Sequence, residues 1–171
     1  ADVVPIYNQL KADHYHVLGN HDFDVADEQK AKVPGVLGLK ERYYQFRRRG
    51  YRFIALDGND VSLHAYPAGD PRLDQAKAYH AKLPKGTPKW NGALGQAQLD
   101  WLEKNLNEAK RAGEKVILFC HFPVFPKDVH NLWNAKQVLS VLTRHPHVVA
   151  YMNGHNHAGG YGKLSGQHYV T

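Results

Sequence analysis

The chain is 171 residues long, 43% hydrophobic and 22% charged, as expected of a globular protein with one substantial core and a single domain over residues 1–171. No apolar run approaches the ~20 residues a membrane helix needs, and a single cysteine, Cys120, excludes an intrachain disulfide framework. The formal charge of +6 suits anionic small molecules or a solvated basic surface rather than nucleic acid, because the tract Arg47-Arg48-Arg49 is short and sits beside Gly50.

In chain order, residues 2–13 read as a helix tail or loop feeding a strand over residues 14–18. Residues 25–42 are loop and short helix, interrupted by Pro34, Gly35 and Gly38. The aromatic-rich segments 43–48 and 51–57 flank Arg49-Gly50 and predict a β-hairpin, with Asp57-Gly58-Asn59-Asp60 as the next turn. Residues 61–94 carry four prolines (Pro67, Pro71, Pro84 and Pro88) and have the irregularity of a functional loop or lid. Within them, Asp70-Pro71 supplies the cap and first turn of a short helix over residues 71–82.

Over residues 95–112, Leu99, Leu102, Leu106 and Ala109 recur at helical spacing and Gly113 stands at the C′ position. A strand over 115–120 follows directly. A second amphipathic helix, residues 134–144, carries Ala135, Val138, Leu139 and Leu142, with Asn134 as its cap, and leads into a strand over 148–152. Helices alternating with buried strands define an α/β class. The chain opens at Ala1 with no visible targeting segment and stops at Tyr169-Val170-Thr171 inside a strand-like run, so a fragment is expected.

Chemistry concentrates where strand-like runs end on histidine. Gly154-His155-Asn156-His157 follows the run 148–152, and Gly154 permits a turn without the cost of a Cβ. Two imidazoles one residue apart can then enter one cleft as ligands of a first-row divalent ion. Gly19-Asn20-His21-Asp22 closes the run 15–18. There Asn20 offers a hard neutral oxygen, and His21 is either a ligand or a general acid. The plain alternative is an ordinary Gly-Asn turn. Cys120-His121 ends the strand 115–120, and Pro123 keeps Phe122 out of helix. Cys120 fits a packed core position better than a soft metal ligand. Gly159, Gly160 and Gly162 would let backbone approach a bound group closely. Together these ends suggest one site at one edge of a sheet.

In order and spacing these runs resemble the calcineurin-like metallophosphoesterase superfamily. Its signature is D-x-H, G-D-x-x-D, G-N-H-[DE], a lone His after a strand, and G-H-x-H. The chain carries the last three, and nothing before residue 19 matches the first two. The resemblance implies that Asn20, His121 and His155 ligate one metal, that His157 ligates another, and that His21 is the acid or transition-state stabiliser. It implies two divalent ions in the intact protein, manganese foremost, with iron or zinc as alternatives, about 3.5–4 Å apart. The fold it implies is a four-layer αββα sandwich, incomplete at the N-terminus and the C-terminus. Hydrolysis would proceed by a metal-bridging hydroxide, with weak or no activity for these 171 residues alone. Such a piece would also expose sheet edges and dissolve poorly.

The run from Trp90-Asn91-Gly92 through Gln98-Leu99-Asp100-Trp101-Leu102, with Trp133-Asn134 and His157-Ala158-Gly159-Gly160-Tyr161, is similar to the manganese-dependent ADP-ribose/CDP-alcohol diphosphatase branch. That similarity implies cleavage of the phosphoanhydride of nucleotide-diphosphate small molecules, with no nucleic-acid partner and no membrane span. Residues 57–94 would be the specificity segment. Tyr66, Tyr79 and Trp90 would either stack a nucleobase or pack a lid, and Gly95 with Gln98 resembles a helix cap. A phosphomonoesterase or cyclic-nucleotide phosphodiesterase of the same superfamily is the near alternative. A non-catalytic metal- or nucleic-acid-binding module is the distant one.

Overall fold

The hairpin expected around Arg49-Gly50 begins the main sheet. In the computed structural model, which describes residues 4–171, β1 (Tyr44–Arg48) and β2 (Tyr51–Ala55) pair antiparallel. Arg49 and Gly50 take positive φ, 51° and 77°, the type I′ geometry whose twist suits a two-residue hairpin. A short ribbon pairs β3 (Val61–Ser62) with β4 (Gly92–Ala93). The main sheet continues with β5 (Lys115–Phe119), β6 (Val148–Met152), β7 (Tyr161–Leu164) and β8 (Gln167–Val170). Its order is β1-β2-β5-β6-β8-β7. The four inner strands are parallel, and the two edge strands run antiparallel to their neighbours. Parallel strands end on the same side, so the loops that follow β5 and β6 open together, where α/β sheets bind ligands.

Six α-helices accompany these strands among the described residues: α1 (Val4–Tyr7), α2 (Asp27–Lys30), α3 (Val33–Val36), α4 (Pro71–His80), α5 (Gln96–Arg111) and α6 (Ala135–Thr143). On α5, Leu99, Leu102, Leu106 and Ala109 form the buried stripe that their spacing predicts; on α6 Val138, Val141 and Leu142 are buried, with Ala135 and Leu139 partly buried against the same core. Both helices pack with Ile54, Val116, Leu118, Val148 and Tyr151 into one core. The α/β class therefore holds, with one helix layer on one sheet face, as the αββα order requires on that side. Strand alternation turns Phe53 and Phe119 to the opposite face. There Tyr15 stacks on Phe46 (3.8 Å between centroids) and Phe46 on Phe53 (4.9 Å). None of these helices is long and apolar enough to cross a membrane.

Several expectations change. Residues 1–3 lie outside the described residues, and 14–18 join no ladder. Side chains replace the missing strand partner: Tyr44 Oη donates to His16 O (2.7 Å) and Asn59 Nδ2 to Leu18 O (3.1 Å). Asn134 stands at the N-cap of α6 but does not cap it. Its amide instead exchanges hydrogen bonds with the backbone of Leu94 (3.2 and 2.9 Å). Gln98 likewise bonds the backbone of Asp57 rather than its own helix end. Gly162 pairs with Tyr169 in the β7–β8 hairpin, Gly160 O accepts from Thr171 N (2.8 Å), and Gly159 N donates to Asn156 O (3.0 Å).

Candidate metal centre

Three distant stretches of sequence meet at the open side of the sheet. His121 leaves β5 with its Nε2 2.9 Å from Asn20 Oδ1 and 3.1 Å from His155 Nδ1. Asn20 is buried and opens a 3-10 turn, Asn20–Phe23, that Asp22 closes by accepting from Gly19 N (2.8 Å). A Cβ at position 19 would lie 3.0 Å from the His121 ring, so any larger residue there would make that ring give by a few tenths of an ångström. The turn after β6 differs from expectation. Its left-handed residue is His155 itself (φ 67°), and Gly154 does not take positive φ. Such a conformation costs a non-glycine residue free energy and persists where surroundings over-determine it. Here Gly154 N donates to His121 O (3.0 Å), and the His155 ring packs edge-on against Phe122 (4.6 Å).

Electrostatics favour a cation. Burial, with repulsion from neighbouring imidazoles, lowers the pKa of His121 to about 4 and that of His155 to about 3. Both rings are therefore neutral near pH 7 and have lone pairs to give. No three His, Cys, Asp or Glu side chains converge among the described residues. The third donor is the Asn20 amide oxygen. Two imidazole nitrogens with one hard oxygen fit manganese, iron or zinc.

His21 and His157 line the same open cleft of ≈540 Å³, on its exposed rim. His21 Nδ1 lies 2.6 Å from Asp24 Oδ2, which leaves Nε2 unengaged. Cys120 is buried in the core and its thiol is pushed up to about 11 by burial, so it stands as the packed residue expected. Among the three aromatic candidates, Tyr66 is buried and donates to Asp60 O (2.8 Å), and Tyr79 stacks near Trp133. Trp90 alone of the three lines the cleft, 49% exposed. Two residues escaped sequence reasoning. Asn91 contacts His155 (2.9 Å), and His130, held by Asp128, stands with its ring 5.4 Å from that of His155. The Trp90-Asn91 run was visible as a marker, whereas His130 sits in a loop with no periodicity to flag it.

Comparison with known proteins identifies the family. Residues 1–159 match the family described as calcineurin-like phosphoesterase. A manganese-dependent ADP-ribose/CDP-alcohol diphosphatase from Arabidopsis thaliana is 32% identical over 170 residues, covering 86% of this chain and 54% of the relative. One of the same name from Xenopus laevis is 41% identical over 203 residues, covering 96% and 57%. The crystal structure of a dimetal phosphatase from Danio rerio superposes with a TM-score of 0.78 at 26% identity, covering 92% of this chain and 59% of that one. The chain thus spans little more than half the length of these relatives. With the motifs, the convergent donors and the fold in agreement, the chain belongs to the calcineurin-like phosphoesterase family.

Proposed function

We propose that this chain is part of the catalytic domain of a two-metal, manganese-dependent hydrolase. Its substrates would be nucleotide-diphosphate small molecules such as ADP-ribose and CDP-alcohols, cleaved at the phosphoanhydride. The observation that carries this reading is the meeting of Asn20 Oδ1, His121 Nε2 and His155 Nδ1 within 3.1 Å steps. These three would hold one ion and His157 would contribute to the second. When bound, the ions supply positive charge to the phosphoryl oxygens and acidify the attacking water. The chain's own residues do the rest. His21, fixed through Nδ1 by Asp24 (2.6 Å), presents Nε2 to give a proton to the leaving phosphate oxygen. Trp90 offers an exposed ring at the cleft on which a nucleobase can stack.

The names of the relatives support the substrate class, and the neutral donor set supports the metal. The test is hydrolysis, by the full-length protein that contains this chain and with added Mn²⁺, of ADP-ribose, CDP-choline, cAMP and p-nitrophenyl phosphate. The expected result is preference for the two diphosphates, abolished by chelation and by His155→Ala. Equal or greater activity on cAMP or the monoester would overturn the substrate assignment. Binding of nucleic acid that survives chelation and weakens steeply with salt would favour a non-catalytic module instead.

A further inference from the structure

Asn91 is the side chain nearest the donor set that the mechanism does not use. It is 1% exposed, and its amide spans two elements of the site. Nδ2 donates to Val129 O (2.8 Å), and Oδ1 lies 2.9 Å from His155 Nε2. The orientation is not free. A backbone carbonyl only accepts, so the NH₂ end must face Val129 and the oxygen must face the imidazole. His155 Nε2 must then be the donor. A neutral imidazole carries one N–H, so Nδ1 holds the lone pair, and Nδ1 is the atom 3.1 Å from His121 Nε2. We infer that Asn91 is a positioning residue: it fixes His155 as the Nε2–H tautomer, aims Nδ1 at the cation, and ties that ring to the loop carrying Val129 and His130. This rests on the proposed metal role of His155.

The backbone that presents Asn91 is anchored on both sides. Trp133 Nε1 donates to Pro88 O (2.9 Å) and Trp133 N to Gly92 O (2.8 Å). Gly92 sits so close to the 57–60 turn that a Cβ there would lie 2.2 Å from Gly58 O. The two runs Trp90-Asn91-Gly92 and Trp133-Asn134 are therefore one device: the second clamps the first, and the first orients a ligand. Asn91 does this without adding charge, which leaves the net charge of the donor set unchanged. Partners of this kind on the far nitrogen of a ligating histidine govern metal affinity about 10–100-fold.

The experiment reads the tautomer directly. Two-bond ¹H–¹⁵N correlation spectra of the metal-free protein above pH 7 should show His155 with Nε2 protonated and Nδ1 bare. Asn91→Leu keeps the volume and removes the acceptor. It should mix the two tautomers and weaken Mn²⁺ binding by roughly 10–100-fold. Asn91→Asp keeps an acceptor for His155 Nε2 while setting an oxygen against Val129 O, and should retain the Nε2–H tautomer. A wild-type ring protonated at Nδ1 overturns the inference, as does a folded Asn91→Leu protein with unchanged tautomer and affinity. If Asn91→Leu does not fold, the wild-type spectrum and Asn91→Asp still decide. Neither readout uses substrate. A full-length protein with this tautomer and normal Mn²⁺ uptake that cleaves no diphosphate would sink the diphosphatase reading alone.

Discussion

His64 shares the neutral state of the site without lining its cleft. Its Nε2 donates to Asn59 Oδ1 (2.8 Å), and Asn59 in turn holds Leu18 O (3.1 Å), one residue before the Gly19-Asn20 turn. Burial pushes the His64 pKa down to about 4, against an ordinary value of about 6.5. The unfolded chain therefore takes up a proton that the folded chain refuses as pH falls. The stability linked to this residue is present above about pH 6.5 and is lost towards pH 4, on the order of 3 kcal/mol in all. Denaturant melts at pH 7.5 and 4.5 should show that loss, and His64→Gln, which keeps a donor for Asn59, should shrink it. An undiminished gap in the variant would remove His64 as the cause. Gly19→Ala should push the His121 ring and weaken Mn²⁺ binding about tenfold or more, as misplacing a ligand does. The measurement is Mn²⁺ titration beside the melting temperature, which should move less. The ligand candidates were legible because glycine, asparagine and histidine recur in fixed order at strand ends. Asn91 and His64 were not, because their partners lie 64 and 5 residues away and only the fold brings the bonding atoms together.

Between elements, Arg52 makes a tie of four hydrogen bonds. It lies on β2 with no exposed surface, and reaches Asn105 O and Oδ1 (both 3.1 Å), Glu108 Oε2 (3.2 Å) and Glu114 Oε2 (2.9 Å). This joins the sheet to α5 and to the turn after it. Arg52→Ala leaves the carboxylates without their partner and should cost about 3–5 kcal/mol in chemical denaturation. Arg52→Met, which refills the volume, should cost clearly less. Equal losses would mean packing, not charge, holds the contact. In sequence, Arg52 was one more cation in a basic hairpin, and nothing marked it as buried. Periodicity did reveal α5, α6, β2, β5 and β6, since each buries one stripe or run. It missed β3, β4 and β7, whose strands are two or four residues long, while the strand-like run at Tyr169-Val170-Thr171 does fall on the end of β8. It also made a strand of 14–18, where apolar side chains pack but the carbonyls bond to Tyr44 and Asn59.

For the molecule as a whole, the two sheet faces are unequal. One is covered by α5 and α6; the other presents Tyr15, Phe46, Phe53 and Phe119 around an open groove of ≈290 Å³. The edges expected to be sticky carry Arg47, Arg48 and Lys163 instead, charges that discourage strand pairing. Self-association of the 171-residue chain should therefore run through the aromatic face. Sedimentation should show it, and Tyr15→Ser with Phe46→Ser should reduce it; edge variants at Arg47 should not. The separation of the donors has a kinetic consequence. Asn20 and His121 are 101 residues apart, and His155 follows 34 later. Such contacts close late, after loop entropy has been overcome. A cation that needs all three can stabilise only the finished structure, so Mn²⁺ should slow unfolding while leaving the folding rate unchanged in stopped-flow experiments.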